Sequence, residues 1–204
     1  MVVGAILVAP LSLVNASYVD FTSMDWHEGS SAPYETSITN NIDGIDVTAS
    51  AGPAGASLYH DTTDGLGVRY NYETDEIEGS EVLTISFGST VQLNSIGISD
   101  LFIESRNGGP AYTEFGFYSI DGGAPVMFEA VQMTLGSNGE LLISGLNLML
   151  DSISFSAIGR TTQGEDHEFS LQSLTISAVP VPAAFWLFGT ALIGFISLSR
   201  RTRI

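Results

Sequence analysis

The side chains best suited to chemistry in this chain are carboxylates, and they are unevenly spread. His60-Asp61-Thr62-Thr63-Asp64-Gly65 is soon followed by Glu73-Thr74-Asp75-Glu76-Ile77-Glu78-Gly79-Ser80-Glu81. Hard oxygen donors on an acidic loop are what Ca2+ takes, about six to eight of them at roughly 2.3–2.6 Å. The expected ligand set is Asp64, Asp75, Glu76, Glu78 and Glu81; the plainer reading of the same residues is a solvated acidic loop. No EF-hand spacing is present, and Asn41-Ile42-Asp43-Gly44 reads as a turn with two further oxygen donors.

Other chemistries fare worse. A glycosidase needs two carboxyl groups facing each other about 5–10 Å apart across a cleft. Acids are abundant enough here that spacing alone selects no such pair. His27, His60 and His167 are scattered through the sequence without zinc-ligand spacing, and His167, within Gly164-Glu165-Asp166-His167-Glu168, reads as a loop residue. No Gly-x-Ser-x-Gly elbow marks a nucleophilic serine. Aromatic side chains offer a binding alternative. Trp26, Tyr34, Tyr59, Tyr70 and Tyr72 fall in the first part of the chain, several beside polar loops. Exposed rings of this kind stack on sugar faces, whereas in a β-rich protein such rings also pack the core. The candidate carbohydrate set is Trp26, Tyr59, Tyr70 and Tyr72.

The elements that must position these residues are strands. Between Ser17 and Ser177 short alternating apolar runs are separated by Gly, Asn, Asp, Ser and Thr, a pattern of period two with no sustained helical period. Strands are expected at Tyr18–Phe21, Thr36–Thr39, Ile45–Ala49, Ala56–His60 and Gly67–Tyr72. Glu81–Phe87 follows, with Leu83, Ile85 and Phe87 on one face. Gly88-Ser89-Thr90 predicts a hairpin turn into Val91–Ser99. Further strands are expected at Glu114–Ile120, Val126–Met133, Glu140–Ser144, Ser152–Ile158 and Phe169–Ser177. The expected fold is all-β: an antiparallel sandwich of jelly-roll type, with a single-layer barrel as the alternative. Leu83, Ile85, Phe87, Ile96, Phe117, Ile153, Phe155, Leu171 and Leu174 are the expected core.

Composition narrows the function classes. The 204 residues contain no cysteine and no lysine, and hydrophobic residues make up 44%. That content argues against disorder, and the core must hold without disulfides. Three of the six arginines lie in the last five residues, which leaves three against all 23 acids in residues 17–177, a net charge of −20. A body so acidic repels nucleic acid and anionic lipid and attracts cations.

Both ends look like targeting segments. Met1 to Ala16 is a short apolar run ending in Val14-Asn15-Ala16, with small residues where a signal peptidase reads, although the usual basic start is missing. At the other end Val179-Pro180-Val181-Pro182-Ala183-Ala184 leads into Phe185-Trp186-Leu187-Phe188-Gly189. No charge then appears until Arg200, Arg201 and Arg203. This run approaches the roughly 20 apolar residues of a bilayer-spanning helix, and the arginines orient it with the body outside the cytoplasm.

The order Pro182-Ala183-Ala184-Phe185-Trp186-Leu187-Phe188-Gly189 followed by arginines resembles the PEP-CTERM class of bacterial sorting signals, closest to its Val-Pro-Leu-Pro-Ala variant. Val181 stands where the Pro-Glu-Pro form has glutamate. The resemblance is confined to the tail. It implies an exported protein of a Gram-negative, polysaccharide-producing bacterium, held first in the inner membrane by residues 178–204. An exosortase, a membrane-embedded cysteine protease, would then process it. The expectation is therefore a signal peptide over 1–16 and an extracellular body over 17–177 at the cell surface or in the extracellular matrix. That body is expected to be structural or carbohydrate-interacting rather than enzymatic, the competing possibility being a glycan-processing hydrolase on the same scaffold.

Overall fold

A computed structural model describes residues 15–27, 29, 34–70, 75–104, 111–133, 138–162 and 165–179. Ala16–Ala178 make one compact unit. The expected signal segment and sorting tail lie outside the described residues, apart from the positions at their inner margins. Among the described residues no helix is long and apolar enough to cross a membrane.

The body is built from strands: β1 (Ala16–Asp20), β2 (Ser37–Ile42), β3 (Ile45–Gly52), β4 (Ser57–Asp61), β5 (Gly65–Arg69), β6 (Val82–Ser99), β7 (Phe102–Glu104), β8 (Tyr112–Thr113), β9 (Phe115–Ile120), β10 (Val126–Glu129), β11 (Gln132–Met133), β12 (Leu141–Ser156) and β13 (Ser170–Ala178). A single 3-10 turn at Met24–Trp26 is the one helical element among the described residues. The all-β expectation is met. One pairing departs from the antiparallel rule, since β11 runs parallel to β7 in a small side sheet that β8 completes.

Two long strands organise the main sheet. The first part of β6 lies between β3, with Val47 opposite Phe87 and Ala51 opposite Leu83, and the end of β12, with Ile85 opposite Ile153. Its second part lies between β13, with Leu174 opposite Ile96, and the start of β12, with Leu141 opposite Ile98. β9 and β10 extend the first half beyond β12, and β2 extends it beyond β3. β1, β5 and β4 extend the second half beyond β13. Inward residues from both halves belong to one core cluster, so the sheet folds over on itself along β6 and β12 into two layers.

The expected hairpin at Gly88-Ser89-Thr90 does not form. Those three residues are exposed and stay within β6, where they bulge opposite Asp151 instead of ending the strand. The threonine hydroxyl donates to Asp151 Oδ1 across the strand pair at 2.6 Å. The two runs expected at Glu140–Ser144 and Ser152–Ile158 are likewise the ends of one strand, β12, joined through register shifts near Gly145–Asn147 and Asp151. Both of those turn-like residues have positive φ, +73° for Gly145 and +51° for Asn147. At the first shift Gly145–Asn147 stand opposite Asn94 alone and bulge β12 without ending it; at the second the surplus lies on β6, where Phe87–Thr90 stand opposite Asp151 alone.

Of the expected core, Leu83, Ile85, Phe87, Ile96, Ile153, Phe155, Leu171 and Leu174 are buried. Phe117 is not. In β9 the inward positions are Gly116 and Tyr118, so Phe117 faces the other way, half-buried, with its ring edge-on to Phe115 at 5.7 Å. Gly116 is inward for a steric reason: a Cβ there would fall 2.6 Å from the Phe128 ring and collide with Phe169 as well.

Candidate functional site

Carboxyl groups converge at one end of the body, where the β4–β5 turn, the segment ahead of β6, the end of β6 and the start of β13 meet. Asp61 caps its own turn by accepting the Thr63 N–H at 2.6 Å. The Ser99 hydroxyl donates to the Asp64 carbonyl, which pins the β4–β5 turn to the end of β6. Asp75 and Glu76 cross β5 at Gly67, where a Cβ would strike the Asp75 backbone. The crossing is fixed by Val68 N–H to Glu76 O at 3.1 Å and Ile77 N–H to Phe169 O at 2.8 Å. Asp100 closes the group in a left-handed conformation, φ +54°. Its N–H donates to Asn138 O at 3.1 Å.

Together Tyr59, Asp61, Asp64, Asp75, Glu76, Asp100 and Ser170 line a cleft of about 90 Å3. The carboxyl groups of Asp64, Glu76 and Asp100 crowd one another in this lining, and buried carboxyls so placed retain protons. Burial pushes the Glu76 carboxyl well above the usual range, with Glu168, Asp100 and Asp75 adding to the shift. Burial and then Asp64 raise Asp100, and burial followed by Asp61 raises Asp64. Among the described residues no three acidic or histidine side chains stand in a preformed metal-ligating arrangement.

Glu114 is a separate buried acid that the sequence reading passed over. It is 3% exposed. Its Oε2 accepts the Phe102 N–H at 2.6 Å while its own N–H donates to Phe102 O at 3.0 Å. Burial outweighs that hydrogen bond and, with Glu104 and Glu168 nearby, pushes its pKa up to about 8.

The expected sites are redistributed by the fold. Asp64, Asp75 and Glu76 do meet in the cleft, where Asp61 and Asp100 join them. Glu78 and Glu81 are not part of its lining. Glu81 is buried, its Oε2 accepts the Glu78 N–H at 3.1 Å, and its own N–H donates to Glu78 O at 2.9 Å. The Glu81 carboxylate thus closes the Glu78–Glu81 turn. Trp26 is 1% exposed, with its ring 4.8 Å from that of Phe21. It is a core residue and presents no face to a sugar. Tyr59 stands beside Arg69, whose guanidinium lies 5.0 Å from the Tyr59 ring and 3.7 Å from that of Tyr34. Tyr70 packs half-buried against the core, and Tyr72 lies outside the described residues. His27 and His60 come together with ring centroids 5.9 Å apart, a contact their sequence separation conceals. His167 is buried beside Phe115, rings 4.1 Å apart, and burial lowers its pKa.

A second, larger concavity lies on the outer face of the other half-sheet. It encloses about 400 Å3 and is lined by residues of β1, β6, β12 and β13, with Glu140 and Leu142 at one side and Tyr18 at the other. The register sets Tyr18 opposite Thr175, Thr175 opposite Ser95 and Ser95 opposite Ser144. One step along, Ser173 faces Gly97 and Gly97 faces Leu142. A Cβ on Gly97 would collide with the Ser173 hydroxyl. The floor between Tyr18 and Leu142 is thus made of glycine and small hydroxyl residues. Tyr18 is 59% exposed and Leu142 67%.

No family model matches the chain, and no curated protein matches it. Among solved structures it is similar to a family 35 carbohydrate binding module from Clostridium thermocellum, with TM-score 0.38 and 18% identity over 64% of this chain and 92% of that one.

Proposed function

We propose that this is an exported, non-enzymatic protein whose β-sandwich body interacts with extracellular polysaccharide and whose tail is an exosortase-type sorting signal. One observation supports the non-enzymatic reading above others: among the described residues the carboxyl cluster and the larger concavity lie in different places. Glycoside hydrolysis needs two carboxyl groups on either side of one glycosidic bond. Here the acids crowd a cleft of about 90 Å3, well below the roughly 300–1,000 Å3 of small-molecule sites. The concavity of about 400 Å3 has a single carboxylate, Glu140, in its lining. A concavity with room but no acid pair suits holding a glycan rather than cutting it.

Within this reading the acidic cleft takes a calcium ion, with Asp61, Asp64, Asp75, Glu76 and Asp100 as the oxygen donors. Its volume suits an ion with a few waters. A divalent ion replaces the retained protons and removes the mutual repulsion of the carboxylates. Residues 178–204 hold the exported chain in the inner membrane until processing sends the body to the cell surface or matrix of a Gram-negative cell. The test is incubation of the full-length chain, in mild detergent, with insoluble polysaccharide while soluble reducing ends are followed. Depletion of the protein without release of reducing ends is expected. Catalytic release would establish a hydrolase in its place.

A further inference from the structure

The outer-face concavity identifies where the polysaccharide sits and of what class it is, an inference that rests on the glycan-interacting reading above. We propose that the trough between Tyr18 and Leu142 is a binding site for an uncharged polysaccharide chain. The wall formed by Tyr18 is an exposed aromatic ring on an edge strand. Such a ring offers an apolar face to sugar C–H groups and a hydroxyl at its far end. Three inter-strand steps of about 4.8 Å separate β1 from β12 across β13 and β6, and the floor between them stays low because only the small Ser173 hydroxyl lies over Gly97. Ser95, Thr175 and Gln172 supply hydroxyl and amide groups along that floor, and Glu140 an acceptor at its end. These are donors and acceptors matched to sugar hydroxyls rather than to ions.

Charge selects among occupants. Glu140 is the one charged residue of the lining, so the trough has no cation to hold an anionic glycan. The chain as a whole carries −17, which opposes both an anionic glycan and a second copy of the protein. A basic protein would find one carboxylate among neutral groups. A neutral sugar chain meets no penalty of charge and satisfies the hydroxyl floor.

The test is affinity electrophoresis of the full-length chain and its Tyr18→Ala, Tyr18→Phe and Glu140→Gln variants. Gels contain hydroxyethyl cellulose or galactomannan, both uncharged, or alginate, which is anionic. The wild-type chain and Tyr18→Phe are expected to be retarded by at least one neutral polymer and not by alginate. Tyr18→Ala should weaken that retardation roughly tenfold, and Glu140→Gln should weaken it less. Melting temperatures that match wild type exclude unfolding as the cause, since Tyr18 is largely exposed. Retardation of Tyr18→Ala equal to wild type would overturn the trough and leave the glycan reading standing. No retardation of the wild-type chain by any polymer would overturn both. If Tyr18→Ala instead converts a dimer to a monomer in sedimentation, the face is a self-association surface and the proposal fails.

Discussion

At the scale of single residues, Glu114 carries the clearest pH signature. Its folded pKa of about 8 lies far above the ordinary carboxylate value of 4.5. Between those values the folded chain holds a proton that the unfolded chain has lost. Stability then falls as pH rises from about 4.5 to about 8 and flattens beyond, because the native state binds more protons than the unfolded one. Glu114→Gln keeps a side-chain acceptor for the Phe102 N–H and has no charge to desolvate. Relative to wild type it should gain roughly 1–2 kcal/mol at pH 8, about 2–8 °C in Tm, and nothing at pH 4. Thermal melts across that range check this, and parallel profiles for the two proteins would contradict it. Nothing in the sequence marked Glu114, because it precedes a strand like any solvated acid. What distinguishes it is the pairing of its backbone with Phe102, which draws the side chain inward. Trp26 is the opposite case. It lies beside polar residues in the sequence, whereas the 3-10 turn directs its indole into the core.

At the scale of elements, the crossing of Asp75-Glu76 over β5 depends on Gly67. A methyl group there meets backbone, which cannot rotate away as a side chain would. Gly67→Ala should destabilise the protein by roughly 1–3 kcal/mol and displace the segment that brings two acids to the cleft. Calorimetric melts in calcium and in chelator check both effects. A variant with wild-type Tm and wild-type calcium response would show that the segment does not need the close approach. The strands themselves were largely legible, since alternation of apolar residues survives in nearly every one. Gly88-Ser89-Thr90 has the composition of a turn, yet it forms a bulge: Leu83, Ile85 and Phe87 before it and Val91 and Leu93 after it are all inward, while the three residues between are exposed. The phase change comes later, at the bulge by Asn94 that brings Ile96 and Ile98 inward. Long-range pairings were not legible, and with them went the ligand set. Asp100 lies far in sequence from Asp64, and only the β6–β13–β5 order brings their carboxyls together.

At the scale of the whole molecule, the charge of the chain and its lack of disulfides make cations the natural source of added stability. An ion that binds only the folded form contributes RT ln(1 + [L]/Kd), about 2.7 kcal/mol at a hundred times Kd. Millimolar calcium should raise Tm by several degrees. Magnesium should do less because it gives up water reluctantly, and Asp100→Asn should blunt the calcium response. Equal rises with both ions would reduce the effect to screening. Sorting is tested separately: mass spectrometry of the surface protein should lack the peptide from Phe185 to Ile204, and its presence intact would leave a plain membrane anchor. Glycan binding by the body is measured most directly by isothermal titration of the full-length chain with a soluble neutral polysaccharide, with alginate as the anionic control. The predicted result is saturable heat with the neutral polymer alone and a negative heat-capacity change as the sugar faces cover Tyr18. Absence of heat with every neutral polymer, or equal binding of alginate, would contradict it.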